Sequence, residues 1–168
     1  MSPDDERTST GSGLIGVISD THGHLAAAAE AALDGVGLII HAGDLDTPQV
    51  LERLRRIAPV VAVRGNMDRG AWAEALPPAE LVAVAGVHVY VRHMAHLLDL
   101  DPAAAGVDVV VCGHTHRPAE EQRGGVLYLN PGSASLPRGG HPPSLALLRI
   151  EGGTARAEFV PLAGDPAD

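Results

Sequence analysis

The sequence contains no lysine: its 12 basic residues are all arginine, set against 21 acidic ones. That absence removes Schiff-base chemistry and any lysine-bearing phosphate loop. A net charge of −9 without a basic cluster leaves no strong nucleic-acid patch. The lone cysteine, Cys112, excludes an intrachain disulfide and, inside a valine run, reads as core rather than reactive. Aromatic residues are scarce, one Trp, two Tyr and one Phe, so the core must be built from Ala, Val, Leu and Ile. The longest mostly apolar stretch, residues 81–91, is about half a bilayer span and contains His88, so no membrane helix fits. The opening MSPDDERTSTGSG is acidic and polar where a secretory signal would be basic and then apolar. It is expected to be a loose tail, and the chain is expected to be cytoplasmic.

Histidine, by contrast, is plentiful: nine in 168 residues. A chain of this length suits one domain, expected over residues 13–163 between tails at 1–12 and 164–168, with no linker and no repeat. Six short apolar runs each stop abruptly at polar residues. Residues 14–19 (LIGVIS) lead into Asp20-Thr21-His22, 38–40 into Asp44, and 60–63 into Asn66-Met67-Asp68. Residues 87–91 lead into His93, 108–112 (DVVVC) into His114-Thr115-His116, and 126–129 into Asn130-Pro131-Gly132-Ser133. Such β-branched runs read as strands buried on both faces.

Helices are expected between the first three runs. Residues 24–33 are alanine-rich, and a second helix starts at Pro48, capped by Asp46 or Thr47, with Val50, Leu51, Leu54 and Ile57 on one face. A third, around 97–105, is interrupted by Pro102. Hairpins are expected to pivot at Gly86, Gly124-Gly125 and Gly152-Gly153. The pattern predicts an α/β fold of two packed sheets with helices outside.

Loops gather at the carboxyl ends of parallel strands, where α/β proteins bind ligands. Asp20, His22, Asp44, Asn66, His93, His114 and His116 all fall there. They offer oxygen and imidazole nitrogen but no thiolate, a set that suits manganese first, with iron, zinc or nickel as alternatives. Residues i and i+2 of an extended segment point the same way, so Asp20/His22 and His114/His116 should each reach one cavity. Seven ligands are too many for one ion; two divalent ions sharing Asp44 use them all. Two such ions dominate the local field and should attract a phosphate-like anion despite the net charge.

The ordered blocks D-x-H, G-D, G-N-x-D, H and G-H-x-H, followed by N-P-G-S, resemble the calcineurin-like metallophosphoesterases, closest to their small single-domain bacterial and archaeal phosphodiesterases. The resemblance implies a four-layer α/β/β/α sandwich of two mixed sheets. It implies one metal on Asp20, His22 and His116, a second on Asn66, His93 and His114, and Asp44 bridging them. It also implies hydrolysis of a phosphodiester, or another phosphate ester, by in-line attack of a metal-bridging hydroxide. The family often carries a proton-donating histidine after the block-three asparagine; here Met67 stands there. Either good leaving groups or another donor, His24, must then serve. Asp44, Asn66 and His24 are thus the catalytic candidates.

Supporting roles are expected around these. His41 either orients Asp44 or is a satisfied core histidine, and Asp68 either holds a ligand histidine or braces its loop. Asn130 and Ser133 support the site by hydrogen bonds, and Arg138 either reaches substrate or is an exposed loop residue. Trp72 is either an anchor for a homo-oligomer or partly buried. The alternative function is a metal-binding scaffold or protein-interaction module on the same fold, with little or no turnover.

Overall fold

The computed structural model describes residues 13–162. The expected tails, and residue 163, lie outside the described residues. Two five-stranded mixed sheets face each other. The first has the order β10-β9-β1-β2-β3, from β1 (Leu14–Ile18), β2 (Leu38–His41), β3 (Val60–Ala62), β9 (Ser144–Glu151) and β10 (Thr154–Pro161). In it β1, β2 and β3 run parallel, and β9 pairs antiparallel with β1. The second has the order β4-β5-β6-β8-β7, from β4 (Ala79–Val84), β5 (Val87–Arg92), β6 (Val109–Val111), β7 (Pro118–Arg123) and β8 (Val126–Pro131). Here β5, β6 and β8 run parallel, with β4 and β7 as antiparallel edges.

The scarcity of rings shows in the space between the sheets. Ile15, Val17, Ile40 and Leu148 from one sheet meet Val89, Val91, Val109, Val111 and Leu129 from the other. Valine runs suit this place because branched side chains fill a pleated surface buried on both faces. The three hairpins turn at Gly86, Gly124-Gly125 and Gly152-Gly153, with the left-handed backbone that two-residue connections require.

The outer layers are unequal. Over the first sheet, α1 (Ala27–Ala32) and α2 (Pro48–Arg55) bury Ala29, Leu33, Val50, Leu51 and Leu54 against Ile18 and Ile39. Trp72, on the short α3 (Ala71–Glu74), is partly buried against the same cluster. Helix α1 starts later than the alanine run suggests, because Ala26 is still extended (φ −67°, ψ 152°). Over the second sheet the expected helix at 97–105 does not form. One 3₁₀ turn, Ala95–Leu97, is followed by turns, with Leu98 already extended (ψ 126°) and Pro102 beyond it. Val107, Leu98 and Leu100 still cover Val110, Tyr90 and Cys112 there, and burial pushes the Cys112 thiol up to about 11.

Candidate metal centre

Strands β1, β2, β3, β5 and β6 deliver their carboxyl ends to one end of the sandwich. Asp20, Asp44, His93 and His116 are buried there, at 0, 2, 2 and 5% exposure. Two groups of ligand atoms form among the acidic and imidazole side chains, Asp20–His22–His116 and Asp20–Asp44–His93. His116 Nε2 lies 3.3 Å from Asp20 Oδ1 and 3.2 Å from His22 Nε2. His93 Nε2 lies 3.2 Å from Asp44 Oδ2 and 3.0 Å from Asn66 Oδ1, which is 3.2 Å from His114 Nδ1. All seven residues therefore converge. Asp20 is common to the two groups, while Asp44 Oδ2 spans them from the other side, 3.9 Å from His22 Nε2.

The convergence is not the alternation of an extended segment. Asp20, His22, Asp44, His114 and His116 all have left-handed backbone, φ between 46° and 74°. Non-glycine residues rarely adopt it, and strain of this kind gathers where surroundings over-determine geometry for function. Glycines make the necessary room. A Cβ on Gly65 would collide with Asp44 Oδ1, and one on Gly113 with Ser19 Oγ.

Each carboxylate is anchored through one oxygen and leaves the other aimed inward. Asp20 Oδ2 accepts from Ser19 Oγ (2.6 Å) and from the His114 N–H (3.0 Å), whereas Oδ1 is buried without a hydrogen-bond partner. Asp44 Oδ1 accepts from the Met67 N–H at 2.8 Å. Three imidazoles are oriented through Nδ1. His93 donates to Ala42 O (2.7 Å) and His116 to Leu136 O (2.6 Å), while His22 faces Asp46 Oδ2 at 3.1 Å. Carbonyl acceptors fix the protons of His93 and His116 on Nδ1, so their Nε2 lone pairs point inward. A buried orphan carboxylate oxygen facing such lone pairs is a donor set that fits divalent cations.

The charges agree. Burial alone would raise the Asp44 carboxyl, but His93, the Met67 N–H and the His22 charge bring it below the usual range. Burial would likewise lower His93, yet Asp44 and Asp20 hold it above its ordinary value. A proton thus favours the place between these groups that a cation fits.

A family model described as a calcineurin-like phosphoesterase superfamily domain matches residues 14–153. The chain belongs to that superfamily. A probable metallophosphoesterase of Methanothermobacter thermautotrophicus is 40% identical over 158 residues, covering 88% of this chain and 91% of that protein. Phosphodiesterase YfcE of Escherichia coli is 40% identical over 108 residues, covering 60% of this chain and 58% of its own. Zinc-complexed Vps29 of Entamoeba histolytica has a similar fold, with a TM-score of 0.67 at 24% identity over 88% of this chain and 98% of that one.

Several of the expected supporting residues have definite partners. His41 is fully buried; its Nδ1 accepts from the Gly43 N–H, so its Nε2 donates to Thr21 Oγ1, both at 3.0 Å. Burial, and then the neighbouring His93, lower its pKa to about 3, leaving it neutral. Asp68 braces its loop, accepting the N–H groups of Asp44, Gly65 and Asp46 at 2.8–2.9 Å. Asn130 Nδ2 donates to Gly113 O and Thr115 Oγ1, and Ser133 Oγ donates to Asp20 O.

Other candidates lie further out. His24 is exposed in the turn after β1, and its backbone N–H donates to Thr21 O. Arg138 is exposed, its N–H bonded to His116 O at 3.2 Å. Sequence reasoning missed Ser19, and it offered Asp46 only as an alternative to Thr47 for the helix cap. The Ncap residue is Thr47, with no side-chain cap bond, and Asp46 instead orients His22. The G-D-x-D pattern of residues 43–46 was the available signal.

Proposed function

We propose that this metallophosphoesterase is a phosphodiesterase that works with two divalent ions. Asp20, His22 and His116 would hold one ion, Asn66, His93 and His114 the other, with Asp44 between them. Manganese is the expected metal, and zinc, iron and nickel suit the same donors. The observation that carries this reading is Asp20 Oδ1, buried and unpartnered amid three inward-facing imidazoles. Such a pair of ions would acidify a water near neutrality and neutralise phosphoryl oxygens in an in-line displacement.

The protein's own groups supply the rest. Ser19, Asp46, Asp68 and the carbonyls of Ala42 and Leu136 fix the ligands before substrate arrives, which is the preorganisation such catalysis needs. Asn66 and His114 face the more open side, where a phosphate would approach. Met67, 47% exposed beside Asn66, has no proton to give, so diesters with acidic leaving groups should react fastest, with His24 the donor for poorer ones. The decisive experiment strips the protein of metal, restores manganese and follows a chromogenic diester. Hydrolysis should appear with metal and vanish in Asp44→Ala. Stoichiometric metal uptake with no turnover of any diester or monoester would instead establish the scaffold.

A further inference from the structure

Beside the candidate metal centre, where β3 and β5 end, lies a cleft of about 180 Å³ whose lining includes Arg64, Asn66, Pro78, Arg92, His93 and Leu97. Asn66 and His93 belong to the ligand set, so the cleft opens onto the centre itself. Arg64 and Arg92 both line this one concavity of a protein whose net charge is −9.

Only one of the two arginines has an acidic partner among the described residues. Among the described residues Arg64 has no acidic partner, and its backbone is pinned by a 2.9 Å hydrogen bond from its N–H to Pro77 O. Arg92, its side chain only 20% exposed, meets one carboxylate, Asp99 Oδ2, at a loose 3.7 Å. The other Asp99 oxygen accepts from the Tyr90 hydroxyl at 2.8 Å, and that carboxylate is 66% exposed. Two arginines that share a single, mostly exposed counter-ion form a receptor for a doubly charged, several-oxygen anion, and the guanidinium fork matches phosphate. Pro78 and Leu97 provide apolar wall for the carbon atoms linking such a group to the reacting phosphate.

We propose that this cleft is a phosphate subsite, and that the substrate is a phosphodiester carrying a second phosphate on one of its ester arms, seated on Arg64 and Arg92. The proposal rests on the phosphodiesterase reading for which phosphorus reacts, but the subsite can be tested apart from it.

Two chromogenic substrates separate the possibilities: thymidine 5′-(4-nitrophenyl phosphate), and the same diester bearing a 3′-phosphate. With the manganese-loaded protein, kcat/KM should favour the 3′-phosphorylated diester by about tenfold or more, chiefly through KM. The ratio between the two substrates, read within each variant and so independent of how much protein folds, should fall towards one in Arg64→Ala and Arg92→Ala. Arg64→Lys should keep part of it. In calorimetry, thymidine 3′,5′-bisphosphate should bind more tightly than thymidine 5′-monophosphate by a similar factor, and the advantage should disappear in Arg64→Ala. Equal kcat/KM for the two diesters, equal binding of the two nucleotides, or an unchanged ratio in both alanine variants would overturn the subsite. An arginine-dependent binding advantage with no hydrolysis of either diester would keep the subsite and remove the phosphodiesterase reading instead.

Discussion

The floor and the rim of the candidate metal centre are built differently. On the floor, Asp20, Asp44, His93 and His116 are almost wholly buried, and each has its outward-facing polar atom bound to a fixed partner. On the rim, Asn66 and Met67 are exposed and His114 is partly so. Burial, and then the neighbouring His93, push the His114 pKa down. The floor is rigid because an unsatisfied polar group costs far more there than in water, so every atom except those meant for a ligand must be paired. The rim has no such constraint and is free to meet different substrates.

This contrast is broken most severely by changing its charge. Asp44→Ala should abolish stoichiometric metal uptake at one position and lower diester hydrolysis by more than the 10- to 100-fold that removing a ligand's supporting partner typically costs. Asn66→Ala, on the rim, should lose about tenfold. Equilibrium dialysis with elemental analysis, alongside steady-state kinetics, measures both. Equal losses would mean that floor and rim hold metal equally.

The next largest effect should be on stability. Asp68 binds no other side chain of the centre, yet its carboxylate receives three N–H groups that fix the Asp44 loop. Asp68→Ala strands these donors, two of them in buried hydrogen bonds, and should cost about 3 kcal/mol or more in urea unfolding of the metal-free protein. Asp68→Asn, which keeps one acceptor oxygen, should cost clearly less. A loss below about 1 kcal/mol for the alanine variant would show the floor to be held by packing instead.

The floor and the rim were also unequally legible in the sequence. The strands that lead to the site could be read from short β-branched runs stopping at polar residues, because burial on both faces demands such runs and the chain must leave the sheet where they end. The seven candidate residues were picked out that way, but the reason they converge was not. Extended alternation was expected at Asp20/His22 and His114/His116, whereas all four residues are left-handed, a conformation that depends on glycine clearances such as Gly113 beside Ser19. Such clearances are tertiary and leave no local pattern. The missing helix at 97–105 has the opposite lesson: Pro102 was visible, and it outweighed the leucines around it. The arginine cleft was illegible because Arg64 and Arg92 lie 28 positions apart and come to line one cleft only through the placement of β3 and β5.

A more moderate effect concerns pH. His41 is neutral in the folded protein down to about pH 3, against an unfolded value near 6.5. Below 6.5 the unfolded chain takes up a proton that the folded chain does not, so this residue's contribution to stability is complete above pH 6.5 and declines as pH falls towards 3. His41→Asn retains an acceptor for the Gly43 N–H but cannot titrate. Its unfolding free energy from urea titration should be lower than wild type at pH 7, by about 1–2 kcal/mol for the lost Thr21 contact, while the wild-type advantage narrows by pH 4.5. An advantage that stays constant between the two pH values would mean that the imidazole becomes protonated in place.

The smallest effect should arise beyond the rim, in the segment that walls the arginine cleft. Tyr90 is buried at 7% exposure, and burial and its hydrogen bond to Asp99 both raise its pKa, but Asp99 itself faces water. In Tyr90→Phe the ring keeps its place in the small cluster with Val110 and Cys112, and Asp99 exchanges the hydroxyl for solvent. The melting temperature should therefore move by no more than about 2 °C. A much larger drop would show that the Tyr90–Asp99 tether, rather than the leucines beneath it, holds the thin outer layer on the second sheet. The wall of the cleft would then be as fixed as the floor, and the freedom ascribed to the rim would end at Asn66 and His114.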